Sequence, residues 1–359
     1  MVELEVFKQV NINNYEQLAV IDQFKSLVVN RRYYQANDFE LKITLNMDNL
    51  DYLKVGNAIR INDIFYYINR SSVPELETGE LVVMGVSFFG LLNNRIVWEN
   101  YSRQARPEVI ARDLLSRHVV NPKDNANKVH QISLAPEVNL GSSSVQFQNS
   151  YGIVREQVEK LCETHDFGFR ELMADPYVPS ASIEFYKGKD LSNSVEFTTD
   201  AENVISESFE QSDFDERNVA LVAGEGEGAE RKIVVIDDGH EGLGRKVLYV
   251  DARDLQSEND GVVMSDLEYE QALIQRGREK LAEHNKVLIL DGDINVHNQL
   301  YEYGVDYDLG DIVRRSSPTF KLAYNARITE IQEIYENGLQ IVPTFGKRSP
   351  TLIDMIKRK

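Results

Sequence analysis

The sequence predicts an α+β chain, mainly β. It should hold an antiparallel β-barrel over residues 1–100, an α+β domain over 101–202, and a second barrel over 203–359 with one helix near 266–284. Three observations carry this. Both end stretches alternate apolar and polar residues at period two. Helical spacing is confined to the middle and to one later segment. And one short pattern is written twice: "DYLKVGNAIRI" at 51–61 and "VDYDLGDIVRR" at 305–315.

In the first stretch, "FELKITL" sets Phe39, Leu41, Ile43 and Leu45 on one face, as a half-buried strand requires. "AIRINDIFYYINR" and "ELVVMGVSFFGLL" follow as further strands between polar turns. In the middle stretch, Pro107 suits a first helical turn, and Val109, Ile110, Leu114 and Leu115 form an apolar stripe behind it. Gly141, Ser142, Ser143 and Ser144 mark a loop. Val154, Val158, Leu161, Cys162 and His165 recur at helical spacing, and "ASIEFYKG" reads as a strand. Strands flank this middle on both sides, which places it as an insertion between barrels.

The third stretch opens near Asn203 with "NVALVAG", "RKIVVID" and "RKVLYVD". Ser265 and Glu268 form a capping-box pattern before a helix carrying Leu267, Ile274, Gly277 and Leu281. "KVLILDGDINV", "NARITEIQEIYENG" and "LQIVPTFG" complete the strands.

Composition excludes several classes. The 359 residues suffice for two or three cores. No apolar run approaches the roughly 18 residues of a membrane helix, so no membrane anchor is expected, and no secretory leader pattern opens the chain. The single cysteine, Cys162, excludes an intrachain disulfide framework and a cysteine-rich metal site. A formal charge of −19 opposes a general grip on nucleic acid.

The doubled pattern extends past its glycine. Gly56-Asn57-Ala58-Ile59-Arg60 matches Gly310-Asp311-Ile312-Val313-Arg314. A strand follows in each copy. Then Glu77-Thr78-Gly79 matches Glu336-Asn337-Gly338, and "ELVVMG" matches "LQIVPTFG". Gly56, Gly79, Gly310 and Gly338 are therefore the candidate structural residues, as turn formers of a repeat. The alternative is turn chemistry common to antiparallel barrels.

Motifs that suggest chemistry have plainer readings beside them. Cys162, His165 and Asp166 lie close in "CETHD", but the first two fall on an apolar helical stripe, where a cysteine is an inert small hydrophobe. "GEGEG" at 224–228 lacks a lysine, and Glu225 and Glu227 would repel phosphate, which leaves a flexible acidic hairpin tip. Asp291, Asp293, Asp306, Asp308 and Asp311 could be gathered as a cation site, but calcium needs six or more oxygens and no helix–loop–helix pattern is present. Solvated turn acids are expected. His118, His130, His165, His240, His284 and His297 show no zinc spacing. Trp98 with Phe88 and Phe89 could form a sugar platform, and a core aromatic at a domain edge is the expected reading. No catalytic residue, metal ligand or cofactor site is assigned.

The order "SLVVNRRYYQANDFELKI", "VGNAIRI", "LVVMGVSFFGLLNNRIV" resembles the opening of siphophage tail-hub proteins, a family similar to the contractile-phage baseplate hub and to the hub part of tail-associated lysozymes. The resemblance continues through "GIVREQVEKLCETHDFGFR", "NVALVAGEGEG", "YVDARDL", "RGREKLAEH" and "VDYDLGDIVRR". It spans nearly the whole chain, carried by colinear order rather than by one motif. It implies two tube-like β-barrel domains per chain and a homotrimer at the virion tail tip, assembled in the host cytoplasm. Six barrels would make a pseudo-sixfold ring that adapts the sixfold tube to a threefold tip. The implied neighbours are the distal tail protein or tail-tube proteins, the tape-measure protein and tip or receptor-binding components. Genomic DNA would pass through the ring unbound, along a channel lined by part of the negative charge.

Relatives with wall-degrading activity carry it in an added C-terminal domain. The sequence reaches "TLIDMIKRK" soon after the second barrel, so a structural role is expected. The rival readings are a tail-associated cell-wall hydrolase and a carbohydrate-binding tail module.

Overall fold

The computed structural model describes residues 2–12, 14–259, 262–295, 300–336 and 338–346. The first stretch forms strands β1 (Leu4–Asn11), β2 (Asn14–Ile21), β3 (Ser26–Arg32) and β4 (Asp38–Thr44), helix α1 (Met47–Tyr52), then β5 (Ala58–Ile61), β6 (Ile64–Ser72) and β7 (Glu80–Ser87). The middle holds β8 (Asn100–Ala105), α2 (Pro107–Leu115), β9 (Ile132–Leu134), β10 (Val145–Ser150), α3 (Val154–His165), β11 (Gly168–Leu172) and β12 (Ala181–Tyr186). The third stretch holds β13 (Glu196–Phe197), β14 (Ser208–Ser212), β15 (Val219–Ala223), β16 (Ile233–Asp237), β17 (Val247–Asp251), β18 (Glu258–Asn259), β19 (Val262–Val263), α4 (Asp266–Ala282), β20 (Val287–Asp291), β21 (Ile312–Ser317), β22 (Leu322–Tyr335) and β23 (Leu339–Phe345).

The chain is mainly β, as expected. Its largest sheet runs β13-β21-β22-β3-β4-β7-β6-β5-β1-β2, with β23 on the far side of β22. This is an open path rather than a closed barrel. It draws on both ends of the chain, because β22 pairs antiparallel with β3, Glu330 opposite Arg32 and Tyr335 opposite Leu27.

Local chemistry explains the elements. In β4, Phe39, Leu41 and Ile43 point into a core with Leu4, Val6, Leu27, Val29, Ile59, Ile61 and Leu81. The opposite face of the first-stretch sheet is also covered. Phe7, Ala58 and Phe65 join a second core with α2 and α3, through Ile110, Leu114, Val158 and Leu161. Burial on both faces explains the near-continuous apolar run of "IFYYI". The run "SFFGLL" does not continue β7. It turns into a 3₁₀ segment from Phe88 to Asn94, and Phe89 stacks on Phe169 of β11 with ring centroids 4.0 Å apart.

Pro107 opens α2 at its first turn. Asp166 closes α3 in the left-handed conformation, φ 55°, which aspartate tolerates better than most residues. The capping box of Ser265 and Glu268 is formed. The apolar face of α4 is shifted from the expected stripe. Tyr269, Ala272, Leu273 and Gly277 are buried against β15–β17, whereas Leu267 is exposed in the first turn.

Candidate functional site

β3 ends in "NRR" and runs on into Tyr33 and Tyr34, and these residues build the joint of the molecule. Arg31 pairs with Glu333 at 2.6 Å and Arg32 with Glu330 at 2.9 Å across the β3–β22 seam. The Gln332 amide donates to Asn30 Oδ1 at 2.8 Å. Both acids are buried, and Glu333 also accepts from the Tyr335 hydroxyl at 2.8 Å.

Tyr33 follows and is fully buried. Its N–H donates to the Thr329 carbonyl, and its own carbonyl accepts from Phe169 N–H. Its hydroxyl accepts from Gly188 N–H at 3.2 Å, and burial pushes its pKa up to about 12. Arg327 lies over the ring, its guanidinium carbon 5.2 Å from the centroid. That guanidinium bonds the Gly310 carbonyl and pairs with Asp166, Nε to Oδ1 at 2.7 Å. The Tyr34 hydroxyl donates to the same Asp166 oxygen. One residue thus ties together the first stretch, the middle and the third stretch. A joint of this kind fixes the geometry of the three stretches.

The candidate glycines do not gather in one place. Gly56, Gly79, Gly310 and Gly338 all have positive φ, at 100°, 59°, 91° and 133°. A Cβ on Gly310 would run into the Tyr33 ring, whereas one on Gly56 would meet nothing nearer than Tyr67 Oη at 3.7 Å. A Cβ on Gly79 or Gly338 would lie in open space.

The backbone around the first and third of these glycines is the same. Gly56 N–H donates to the Ile68 carbonyl and Ile68 N–H to Asn57, at 3.0 and 2.9 Å. Gly310 N–H donates to Ile328 and Ile328 N–H to Asp311, both at 2.9 Å. Each isoleucine precedes a register shift, between Ile68 and Arg70 and between Ile328 and Glu330. One offset of 260 positions carries Ile68 to Ile328, Arg70 to Glu330, Met84 to Thr344 and Gly85 to Phe345. On that offset Gly338 stands level with Thr78, one residue short of Gly79.

The chemistry-like motifs resolve individually. Cys162 is buried, and burial pushes its thiol pKa well up. Burial lowers the pKa of His165, whose Nε2 lies 3.0 Å from Gln275 Nε2. The "GEGEG" loop connects β15 to β16 and is pinned rather than free. Arg231 bonds the Gly224 and Ala223 carbonyls, and the Glu225 carboxylate accepts from Ser257 N–H.

The acids near the repeat serve the backbone. Asp311 accepts from Lys189 N–H and Asp308 N–H, and it is buried, not solvated. Asp306 accepts from Glu302 N–H, and Asp293 from the Ser206 hydroxyl. No metal-ligating cluster is found among the described residues. The Asp291 side chain, His297, Asn337 and the "TLIDMIKRK" segment lie outside the described residues.

Trp98 is 61% exposed, against the expectation of a core aromatic, while Phe88 and Phe89 are buried and cannot share a platform with it. Val97 takes the inward position beside it.

Sequence reasoning missed Tyr33, Arg31, Arg32, Arg327, Glu330 and Glu333. The available signal was charge: two adjacent arginines in "NRR" on one strand and two glutamates three apart in "EIQEI" on another.

Several solved structures share this fold. A tail protein from Neisseria meningitidis MC58 aligns over 96% of both chains with a TM-score of 0.57 at 12% identity. The 43 kDa tail protein of prophage MuSo2 from Shewanella oneidensis aligns over 96% of this chain and 98% of its own, with a TM-score of 0.54 at 11% identity. Prophage tail protein gp18 from Listeria monocytogenes EGD-e aligns over 99% and 97%, with a TM-score of 0.53 at 11% identity. No curated protein matches the sequence. The family model described as Siphovirus ReqiPepy6 Gp37-like protein matches residues 3–347, so the chain belongs to that family of siphovirus tail proteins, as the colinear motifs implied.

Proposed function

We propose that this protein is the structural hub of a phage tail tip. It acts as a homotrimer that closes the distal tail tube, adapts sixfold to threefold symmetry, and forms part of the channel through which DNA leaves. The observation that carries this reading is the doubled backbone pattern. Ile68 and Ile328 sit in the same hydrogen-bonded frame, each followed by the same bulge. Two such units per chain give a trimer six similar rim elements, and closed cyclic symmetry then accounts for the match to a sixfold tube.

On this reading the residues at 1–100 and 203–359 are the two tube-like domains, the middle at 101–202 is an inserted α+β domain, and the four glycines are turn residues of the repeat. The neighbours are the tail tube or distal tail protein on one side, and the tape-measure and tip components on the other. The role is structural and needs no cofactor.

Light scattering tests the assembly. A trimer of a 41.1 kDa chain has a mass of about 123 kDa. Electron microscopy of tails should show the two units alternating at one height around a ring of six. A monomeric mass, or units at different heights, would refute the proposal.

A further inference from the structure

We propose that copies of this chain join through strand pairing, β14 of one copy lying antiparallel to residues 70–72 of β6 in the next. This rests on the trimer reading and names the surfaces that make it.

A seam of this kind is already formed inside the chain. On the side away from β23, β22 receives two strands in line. β21 covers its first half and β3 covers residues 330–335. The first unit repeats half of this. On the side away from β7, β6 receives β5 along its first half, with Gly56 and Asn57 bonded to Ile68. Past Ile68, residues 70–72 pair only with β7 among the described residues. The edge that β3 fills on β22 is open on β6.

The strand that would fill it is also present. β3 is the outer strand of the β3–β4 hairpin, whose inner strand pairs with β7. In the third stretch β14 pairs antiparallel with β20, and β20 lies beside β23, the counterpart of β7. Residues 213–286 are inserted where the short β3–β4 turn stands. β14 is therefore the counterpart of β3. Its residues are exposed from Ser208 to Gln211, and among the described residues it pairs with β20 alone.

One chain thus has one completed seam and the two separate halves of a second. The first seam sets the two units side by side. A second seam of the same sense leads onward to another copy, head to tail, and closes when the rotation completes a ring.

Charge and hairpin tips agree with this partner. Arg70 stands where Glu330 stands, and β14 carries Glu210, so the Arg32–Glu330 polarity returns with its signs exchanged. In the formed seam the β5–β6 tip rests on β22, with the Asn62 amide donating to Tyr335 Oη at 2.9 Å. The counterpart tip carries Phe320, 39% exposed and stacked on Phe209 of β14. An exposed edge strand bearing an aromatic is a template for pairing, and such edges are ordinarily covered.

Paired cysteines in the full chain test the proposal, with the buried Cys162 as a silent background. Ser71→Cys is combined in turn with Phe209→Cys, Glu210→Cys and Gln211→Cys, then oxidised and run without reductant. The in-chain pair Asn30→Cys with Gln332→Cys is the control for cross-linking. One register should give a covalent trimer. Arg70→Glu should weaken association at least tenfold, and Glu210→Arg in the same chain should restore it. A trimeric mass with no cross-link in any register, while the control closes, overturns the pairing and leaves the trimer standing. Unchanged association of Arg70→Glu also overturns it. A monomeric mass overturns both readings.

Discussion

The ring of Tyr33 occupies the space that a side chain on Gly310 would need. Gly310 is thus constrained twice, by its φ of 91° and by its neighbour, whereas Gly56 is constrained by φ alone. Gly310→Ala should cost roughly 2–4 kcal/mol, backbone strain plus overpacking, and Gly56→Ala only about 1 kcal/mol. Urea midpoints of the two variants would measure this. Equal losses would show that Tyr33 yields freely and that the joint is looser than its packing implies.

The β3–β22 seam should be a main source of cohesion between the ends of the chain. Glu333 keeps 4% of its surface exposed and pairs with Arg31. Glu333→Leu takes from Arg31 its buried acid and leaves it only the exposed Asp63, 2.7 Å away, and should cost up to roughly 3 kcal/mol. Arg31→Met combined with Glu333→Leu should recover much of the loss, because two apolar groups replace a desolvated pair. A double-mutant cycle with coupling near zero would argue that the pair contributes nothing to the seam.

Stability should fall as pH rises through neutrality at two sites. Burial pushes the carboxyls of Glu159 and Glu171 up to about 7, from 4.5. Between those values the unfolded chain has lost protons that the folded chain keeps. The contribution is therefore whole below about pH 4.5 and is lost as pH passes 7. Glu171→Gln retains an acceptor for Phe89 N–H, 3.2 Å away in the native protein. At pH 8 it should be roughly 1–3 kcal/mol more stable than the native chain, and near parity at pH 4.5. Melting both proteins across pH 4.5–8 checks the sign, and parallel curves would exclude the effect.

Cys162 should behave as a core residue. Its thiol is buried and held protonated, and the thiolate is the reactive form. The native protein should leave an aromatic disulfide reagent untouched, and one thiol per chain should react in guanidinium. Rapid labelling under native conditions would reopen the nucleophile reading.

On the proposed structural role the chain does not cut the cell wall. Zymograms of the purified full chain against peptidoglycan should stay dark. A cleared band that survives Cys162→Ala would point to a hydrolytic site elsewhere in the chain.

Much of the secondary structure was legible without coordinates, because period-two alternation in β4 and the capping box at Ser265 are local signals. So was the positive φ at Gly56 and Gly310, since such a conformation next to a strand selects glycine wherever it occurs. The limits of that reading were also physical. Leu267 and Trp98 are apolar residues whose burial depends on whether another element covers them, and neither is covered.

The sequence by itself determined the mainly β character, the two helices of the middle stretch, the doubled glycine pattern and the siphophage tail resemblance. Each follows from residue order over short windows or from colinear motifs. Only the tertiary structure decided that β3 and β22, some 300 positions apart, form one seam, and that Tyr33 joins all three stretches. Strand pairing depends on backbone hydrogen bonds that any residue but proline supplies. Which edges meet is therefore set by the whole packing, where Arg31 and Arg32 find Glu333 and Glu330.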